Sequence, residues 1–284
     1  CLGLPRFSET YTARCAQAAG WLRAMTDENT GMAPNIGAND GANLLPLARS
    51  EHNDMRPTVQ AAYALFVGSR AYEGEGPWNA TAQWLKVELP QRTTPSAGSA
   101  LFDEGGYALL CAGPARAYVR FPRFRFRPSH ADALHVDLWV AGENVLRDGG
   151  TYSYAAEREE LDYFAGTASH NTVQFDDRDQ MTRLGRFLFG DWLGTEARSS
   201  IESRLGCVSF SAAYRDRFGA RHARHLSLDP RSLRVIDEIS GFQAKAVLRW
   251  RLVPGDWHLR DNGARSARYA QIVRSSAPIK RIQL

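Results

Sequence analysis

The sequence predicts an α+β protein in two parts: a short helical segment, residues 1–97, followed by an antiparallel β-sandwich, residues 98–284. Two observations predict this fold class. Apolar residues recur with the 3.6-residue period of a helix before a linker at 89–100, and with a period of two after it. The second part also contains many short strand-like runs separated by polar turns, which is typical of a sandwich.

Three helices are predicted in the first part. The first begins after a cap residue, Ser8 or Thr10, and its apolar face carries Cys15, Ala18, Ala19, Leu22 and Met25. The second begins near Pro57, because proline is tolerated in a first turn, and it ends at Gly68. A third is expected over residues 79–86. Three helices bury little core alone, so we expect them to pack on the following domain or on preceding sequence.

A segment rich in glycine, asparagine and proline, residues 32–46, separates the first two helices and is predicted to be a loop. Its polar residues Asn35, Asn39 and Asp40 are candidate substrate-binding residues, because amides and carboxylates form hydrogen bonds with sugar hydroxyls. A plain connector explains the same composition equally well.

Short alternating runs in the second part predict the strands of the sandwich. They cover residues 107–111, 117–121, 134–140, 144–146, 171–175, 207–214, 222–228, 233–236 and 246–252. The four cysteines are scattered without the spacing of a metal knuckle, so we expect free thiols and no obligatory disulfide. No apolar run approaches 18 residues, so no membrane span is expected.

The net charge is +4 and the excess is arginine, since the only lysines are Lys86, Lys245 and Lys280. Arginine alternates with phenylalanine over residues 120–127, and Arg127 is a candidate substrate-binding residue. This pattern fits a surface that binds an acidic polysaccharide, although a strand with one face in the core and one in water gives the same alternation. No nucleic-acid-binding signature accompanies the arginines, so nucleic acid is not expected as a partner.

A candidate metal site comes from three separate stretches of the second part. Alternation places His130 and Asp132 on the apolar face of a strand, where such side chains are costly to bury unless paired or ligated. Asp148 follows the next apolar run, and His170 opens another strand. Two imidazoles and a carboxylate from neighbouring strands, His130, Asp148 and His170, could hold Zn²⁺ with one position open. Ordinary surface or core histidines remain the alternative.

Three motifs carry a family resemblance. They are His-Ala-Asp-Ala-Leu from His130, Asp-Gly-Gly-Thr-Tyr-Ser-Tyr from Asp148, and Ala-Ser-His-Asn-Thr-Val around His170. In this order and at these separations they resemble the C-terminal domain of the heparinase II/III-like polysaccharide lyases. The resemblance implies the last helices of an α/α toroid before a β-sandwich, a zinc ion that braces the cleft, β-elimination on a uronate-containing acidic polysaccharide, and a periplasmic or cell-envelope location.

Beside these motifs, Asn171 follows His170 and is a candidate to form a hydrogen bond with a substrate carboxylate. Tyr152 and Tyr154 alternate after Asp148, so one of them is expected to face the cleft as a catalytic group, with packing as the alternative for each. The sequence departs from the family pattern at Pro128, where many relatives carry a further histidine. The toroid segment that would carry the chief catalytic tyrosine is expected to precede Cys1, so the chain is expected to be a fragment or a processed form.

The sequence therefore leaves two alternative functions, which belong to different classes. One is a polysaccharide lyase, incomplete in this chain, and the other is a non-catalytic polysaccharide-binding or assembly protein of surface-polysaccharide synthesis. A metallohydrolase is a third hypothesis, but no glutamate stands at the spacing of a zinc-protease general base.

Overall fold

The computed structural model describes residues 7–39, 41–42, 47–96 and 98–283. The chain divides into two compact units, Cys1–Arg251 and Leu252–Leu284. The helices and the two large sheets all belong to the first unit. The domain division between residues 97 and 98 stays a prediction.

The three helices predicted before the linker are present, with bounds within a few residues of those expected. They are α1 (Glu9–Met25), α2 (Arg56–Phe66) and α3 (Ala80–Trp84), the last preceded by a 3₁₀ turn at Pro77–Asn79. Helix α1 begins where predicted, because the Ser8 hydroxyl accepts a hydrogen bond from the Tyr11 N–H at 3.2 Å. Helix α2 has a proline in its first turn.

A fourth helix, α4 (Arg158–Ala165), was not predicted from the sequence. It is short, and Leu161 is its one fully buried residue. The helix is stabilised at its start by the Glu160 carboxylate, which accepts the Glu157 N–H at 3.3 Å. A 3₁₀ turn at Thr167–Ser169 follows it and leads directly to His170.

Two antiparallel sheets form the sandwich. The first has the sequential order β1 (Ala100–Phe102), β2 (Tyr107–Ala112), β3 (Ala115–Arg120), β4 (Val136–Val140) and β5 (Glu143–Leu146). The second has the order β10 (Glu202–Arg204), β11 (Cys207–Arg215), β12 (Arg221–Leu228) and β13 (Leu233–Ser240), with β9 (Thr195–Arg198) also paired to β11. The predicted β-sandwich is therefore confirmed.

The core lies between these sheets and takes alternate residues from each. Leu110 and Val119 of the first sheet pack in one cluster with Phe210, Tyr214 and Leu226 of the second. Burial along β12 alternates strictly, as expected for a strand with one face in a core.

Two small two-stranded sheets complete the first unit: β6 (Val173–Phe175) with β14 (Ala246–Leu248), and β7 (Thr182–Gly185) with β8 (Leu188–Gly190). The second unit contains a three-stranded sheet of β15 (His258–Arg260), β16 (Gly263–Arg265) and β17 (Ala270–Ile272). The strand predicted at 233–236 is longer than expected, and the one at 246–252 is shorter.

The prediction that His130 and Asp132 lie on one face of a strand is wrong. Strand β4 begins only at Val136, and a loop joins it to the end of β3 at Arg120. The backbone of Leu134 has φ +60°, which is incompatible with an extended strand. Because the alternation does not extend through this loop, His130 and Asp132 do not share a strand face.

Among the described residues, Cys15, Cys111 and Cys207 are free thiols. None of the helices in this part of the chain has both the length and the apolar character needed to cross a bilayer.

Candidate metal centre

The structure brings together the three residues predicted as metal ligands. His130 lies on the loop between β3 and β4, Asp148 follows β5, and His170 follows the 3₁₀ turn after α4. One potential ligand atom from each lies within 4.8 Å of the other two, and all three residues are buried. Three distant parts of the chain thus place two imidazoles and a carboxylate around one point, which is a donor set that suits Zn²⁺.

The cluster contains polar atoms that protein groups leave unsatisfied. The Nδ1 of His170 lies 3.0 Å from Asp148 Oδ2, and the rings of His130 and His170 are 5.3 Å apart. His130 Nδ1 and His170 Nε2 are buried and have no hydrogen-bond partner among the described residues. Such atoms are unfavourable in an interior, and a bound cation would satisfy them. The residues present therefore fit a metal ion.

The electrostatics favour a neutral histidine beside an ionised carboxylate. Burial, reinforced by the neighbouring His170, lowers the pKa of His130 to about 4. Burial alone would raise the pKa of Asp148, but His170 and His135 outweigh it and hold this pKa well below its usual range. For His170, burial lowers the pKa and the Asp148 carboxylate raises it, with a net upward direction. At neutral pH His130 is consequently uncharged, and one of its two ring nitrogens presents a lone pair.

A third imidazole, that of His135, also faces the cluster and was not predicted from the sequence. Its Nε2 lies 3.4 Å from Asp148 Oδ2, and its Nδ1 accepts a hydrogen bond from the Asn171 N–H at 3.0 Å. The assumed strand from His130 placed His135 on the opposite face, whereas the turn at Leu134 redirects it. The sequence signal that points to it is its place at the end of the His-Ala-Asp-Ala-Leu-His run, but spacing alone gives it no role.

The alternation in the sequence placed Asp132 on the same strand face as His130. The Asp132 carboxylate instead lies 3.7 Å from the Arg120 guanidinium, and its Oδ1 has no hydrogen-bond partner among the described residues. Asp137 supports the cluster through hydrogen bonds. Its carboxylate accepts from the Asp148 N–H at 3.1 Å and from the Trp139 indole N–H at 2.6 Å. The backbone of Asp148 is thereby fixed to strand β4.

Arg224 joins the site to the second sheet. This arginine is only 1% exposed, and its Nη1 donates to the carbonyls of Leu134 at 2.7 Å and Asn171 at 2.6 Å. Its Nε and Nη2 donate to the Asp237 carboxylate at 2.6 and 3.0 Å. Since Leu134 precedes His135 and Asn171 follows His170, one guanidinium fixes the backbone on both sides of the cluster.

Asn171, a predicted catalytic residue, is fully buried. Its Nδ2 donates to the carbonyls of Val136 at 2.8 Å and Arg147 at 3.1 Å, and its Oδ1 accepts from the Arg251 N–H at 2.5 Å. These contacts use the whole amide as a brace between backbone segments. A catalytic role for Asn171 stays a prediction.

Tyr152 and Tyr154, the other predicted catalytic residues, lie just beyond Asp148 on partly open surface. Tyr152 is 67% exposed, has φ +63° and stacks on Phe164 with 5.3 Å between ring centroids. Tyr154 is half-buried and contacts Phe187 edge to face at 5.1 Å. Both rings are accessible to a ligand, and their catalytic roles stay predictions.

The predicted substrate-binding loop lies against the segments that carry the cluster. The Asn39 N–H donates to Thr151 Oγ1 at 2.9 Å, and the Ala38 N–H donates to Ser129 Oγ at 3.2 Å. The amide of exposed Asn35 fits against Gly150, where a Cβ would lie 2.1 Å from Asn35 Nδ2. Asn35 and Asn39 thus lie beside the site, whereas Asp40 lies outside the described residues.

An open groove of about 430 Å³ adjoins this loop. It is lined by Ala38, Phe126, Arg127, Ser129, Tyr154 and Phe187. Arg123 and Arg125 form ion pairs with Asp103 and Glu104, respectively. Within the described ranges Arg127 has no ion-pair partner, and its guanidinium lies over the Phe126 ring at 5.9 Å. Among Arg123, Arg125 and Arg127, Arg127 is therefore the residue whose charge is available to an anionic ligand.

Comparisons with known proteins agree with this architecture. The profile of the family described as "Heparinase II/III-like, C-terminal" matches residues 94–277. No curated protein matches the sequence significantly. The fold is similar to solved structures of a heparinase III gene product with methylated lysines (TM-score 0.65, 15% identity), of heparinase III (0.61, 16%) and of the heparan sulfate lyase HepC from Pedobacter heparinus (0.59, 13%).

Each of these similarities covers 91% of this chain, and the chain spans 37%, 40% and 39% of the respective structures, about two fifths of their length. At such identities the structural likeness shows a shared fold, and the profile match supplies the family. The matched residues include all three members of the candidate metal cluster. The chain belongs to the heparinase II/III-like family, and its residues 94–277 match the C-terminal domain of that family.

Proposed function

We propose that this chain is part of a polysaccharide lyase that cleaves a uronate-containing acidic polysaccharide by β-elimination. The observation that carries the proposal is the convergence of His130, Asp148 and His170 within 4.8 Å in a heparinase II/III-like domain. The names of the similar structures, heparinase III and heparan sulfate lyase, support an acidic polysaccharide as the substrate class.

The groove supplies the charge that this chemistry requires. Elimination removes the proton next to the uronate carboxylate, and that proton is barely acidic while the carboxylate is unneutralised. Arg127, with no ion-pair partner in the described part of the chain, would pair with this carboxylate or with a sulfate. Tyr152 and Tyr154 are the proposed proton-transfer groups, since both are accessible at the edge of the site.

His130, Asp148 and His170 would hold Zn²⁺ beside this groove. The ion would supply a fixed positive charge that braces the cleft. The chain's own contribution is a neutral His130, an ionised Asp148 and buried nitrogen atoms without other partners among the described residues. Those features support a cation of this class, whose ligands must be deprotonated to bind.

Helices α1–α3 are proposed to be the last helices of an α/α toroid. Their support is a set of large apolar side chains left exposed on and beside them, including Phe7 at 69%, Leu65 at 51% and Trp84 at 72%. Exposed apolar residues that contact one another, as Phe7 does with Tyr11 and Tyr11 with Phe66, are typical of surfaces that pack against other protein. A periplasmic or cell-envelope location is proposed with the family assignment.

A non-catalytic polysaccharide-binding or assembly protein is the second candidate. Two observations favour it. Pro128 lies in the wall of a groove beside Arg127, at a position where a side chain that transfers protons is expected, and proline has none. The Asn171 amide is also fully engaged with backbone groups rather than free for a substrate.

The test uses the full-length protein that contains this chain and a panel of acidic polysaccharides. A lyase produces an unsaturated uronate, which is followed by its ultraviolet absorbance, and the Arg127→Ala variant should lose most of this activity. Arg125→Ala is the matched control, because Arg125 is neutralised by Glu104 and should change little. Binding without any unsaturated product would support the non-catalytic candidate, and product formation with water added would refute elimination.

A further inference from the structure

The position of the proton on His135 decides what this buried residue can do. His135 is 1% exposed, and its Nε2 faces the carboxylates of Asp148 at 3.4 Å and Asp137 at 3.9 Å. This ring also lies edge to face with that of His170, at 5.6 Å. By distance alone, His135 could be a fourth ligand of the proposed ion or a group that orients one of the ligands.

The backbone separates these two possibilities. The Asn171 N–H points at His135 Nδ1 across 3.0 Å, so Nδ1 must present a lone pair. A neutral imidazole has one protonated nitrogen and one acceptor nitrogen, and the proton therefore resides on Nε2. A protonated Nε2 cannot coordinate a cation. Moving the proton to Nδ1 would set two N–H groups against each other in a buried site.

The surroundings of Nε2 are those of a donor. It makes no hydrogen bond among the described residues, and its nearest acceptors are two buried carboxylates, those of Asp148 at 3.4 Å and Asp137 at 3.9 Å. The Asp148 carboxylate is also fixed at its Oδ1, which accepts the Gly150 N–H at 2.7 Å, while its Oδ2 lies next to both His170 Nδ1 and His135 Nε2. An N–H donor behind a ligating group fixes its orientation and raises metal affinity.

We propose that His135 is a positioning residue of the metal site: once the ion is bound, its Nε2–H donates to Asp148 Oδ2, 3.4 Å away in this structure, and orients this carboxylate toward His130 and His170, while His135 itself stays outside the coordination shell. The inference rests on the proposed metal site, but not on lyase activity. The role given to His135 applies to a cation that is bound by His130, Asp148 and His170.

The test compares Co²⁺ binding to wild type, His135→Gln and His135→Leu, with folding checked by circular dichroism. The amide of the introduced glutamine can replace the Nε2–H donor but is a poor ligand, so affinity should stay within about threefold of wild type. Leucine removes the donor, and affinity should fall roughly 10–100-fold. In both variants the visible absorption of the bound Co²⁺ should keep its wild-type position and intensity, because the ligands are unchanged.

A second measurement needs no variant. The ¹⁵N chemical shifts of the histidine ring nitrogens report the tautomer, and we expect His135 to be protonated at Nε2 both with and without Zn²⁺. A proton on Nδ1, or a changed Co²⁺ spectrum in His135→Gln, would overturn the positioning role and make His135 a ligand. A wild-type protein that binds no Co²⁺ would overturn the metal site itself, and the positioning role with it. Neither result depends on whether the full-length protein is a lyase.

Discussion

Replacing Arg224 with methionine should destabilise the protein severely, because one buried guanidinium joins the metal-site loops to the second sheet. It donates to the carbonyls of Leu134 and Asn171 and twice to the Asp237 carboxylate. Methionine fills similar volume but donates no hydrogen bond. Of the partners that the described residues offer, Asp237 is left with His222 at 2.7 Å, in a site where the carboxylate is only 14% exposed.

The expected loss follows from these contacts. Removing one partner of a buried ion pair costs about 3–5 kcal/mol. Each buried carbonyl left without a donor costs about 1–3 kcal/mol more, although these contributions do not add fully because the loops relax. We expect a loss on the order of 5 kcal/mol in the free energy of unfolding, which is comparable with the entire stability of many domains. Lysine at this position should be intermediate, since it keeps the charge but loses the fork.

The assay is urea denaturation followed by tryptophan fluorescence, with Zn²⁺ affinity measured on the same samples. Arg125→Met is the matched control, because its ion pair with Glu104 is exposed and should contribute less than about 1 kcal/mol. Zinc binding should also weaken in Arg224→Met, since Leu134 and Asn171 flank the residues of the cluster. A loss below about 1 kcal/mol with unchanged zinc affinity would refute the role given to Arg224.

Two further predictions concern His130 and Gly150. The pKa of His130 is about 4 in the folded protein and about 6.5 in the unfolded chain. Between these two pH values the imidazole is protonated in the unfolded chain but not in the folded protein. The metal-free protein therefore loses stability as pH falls from about 6.5 to about 4. His130→Gln should remove about 3 kcal/mol of this decline in urea melts with chelator at pH 7 and pH 4, and an unchanged pH profile would contradict the burial argument. Gly150→Ala should destabilise more than Gly68→Ala in thermal melts: both positions have φ near +70°, but only the Cβ at Gly150 meets another side chain, Asn35. Equal effects of the two substitutions would show that the loop does not dock on Gly150.

Local patterns in the sequence predicted much of the fold, because their causes are local. Ser8 caps α1 as expected, since a cap depends on the next three residues. The core strands β2, β3, β11 and β12 were predicted from short alternating runs, and burial alternates throughout β12, whereas the middle residues of β2 and β3 are buried on both faces. Helix α4 was missed because it spans only eight residues and buries one of them, Leu161, which is too little for a helical period to be recognised.

The candidate site was predictable in part. The motifs around His130, Asp148 and His170 identified the cluster, although the strand assumed for His130 is a loop. Spacing could not reveal His135, because its orientation depends on a positive φ at Leu134.

Arg224 lies 90 residues from the Leu134 carbonyl that it fixes. Contacts at such a separation leave no periodic trace in a single sequence, so the supporting residues of the site appear only in three dimensions.

The most direct test of the metal site is a calorimetric titration of the metal-stripped chain with Zn²⁺. The site predicts one ion bound per chain in the wild type and loss of that binding in His170→Ala and Asp148→Asn, each checked for native structure. His225→Ala, at an exposed histidine outside the cluster, should bind like wild type. Absence of stoichiometric binding in the wild type, or full binding in His170→Ala, would contradict the assignment of His130, Asp148 and His170 as a metal centre.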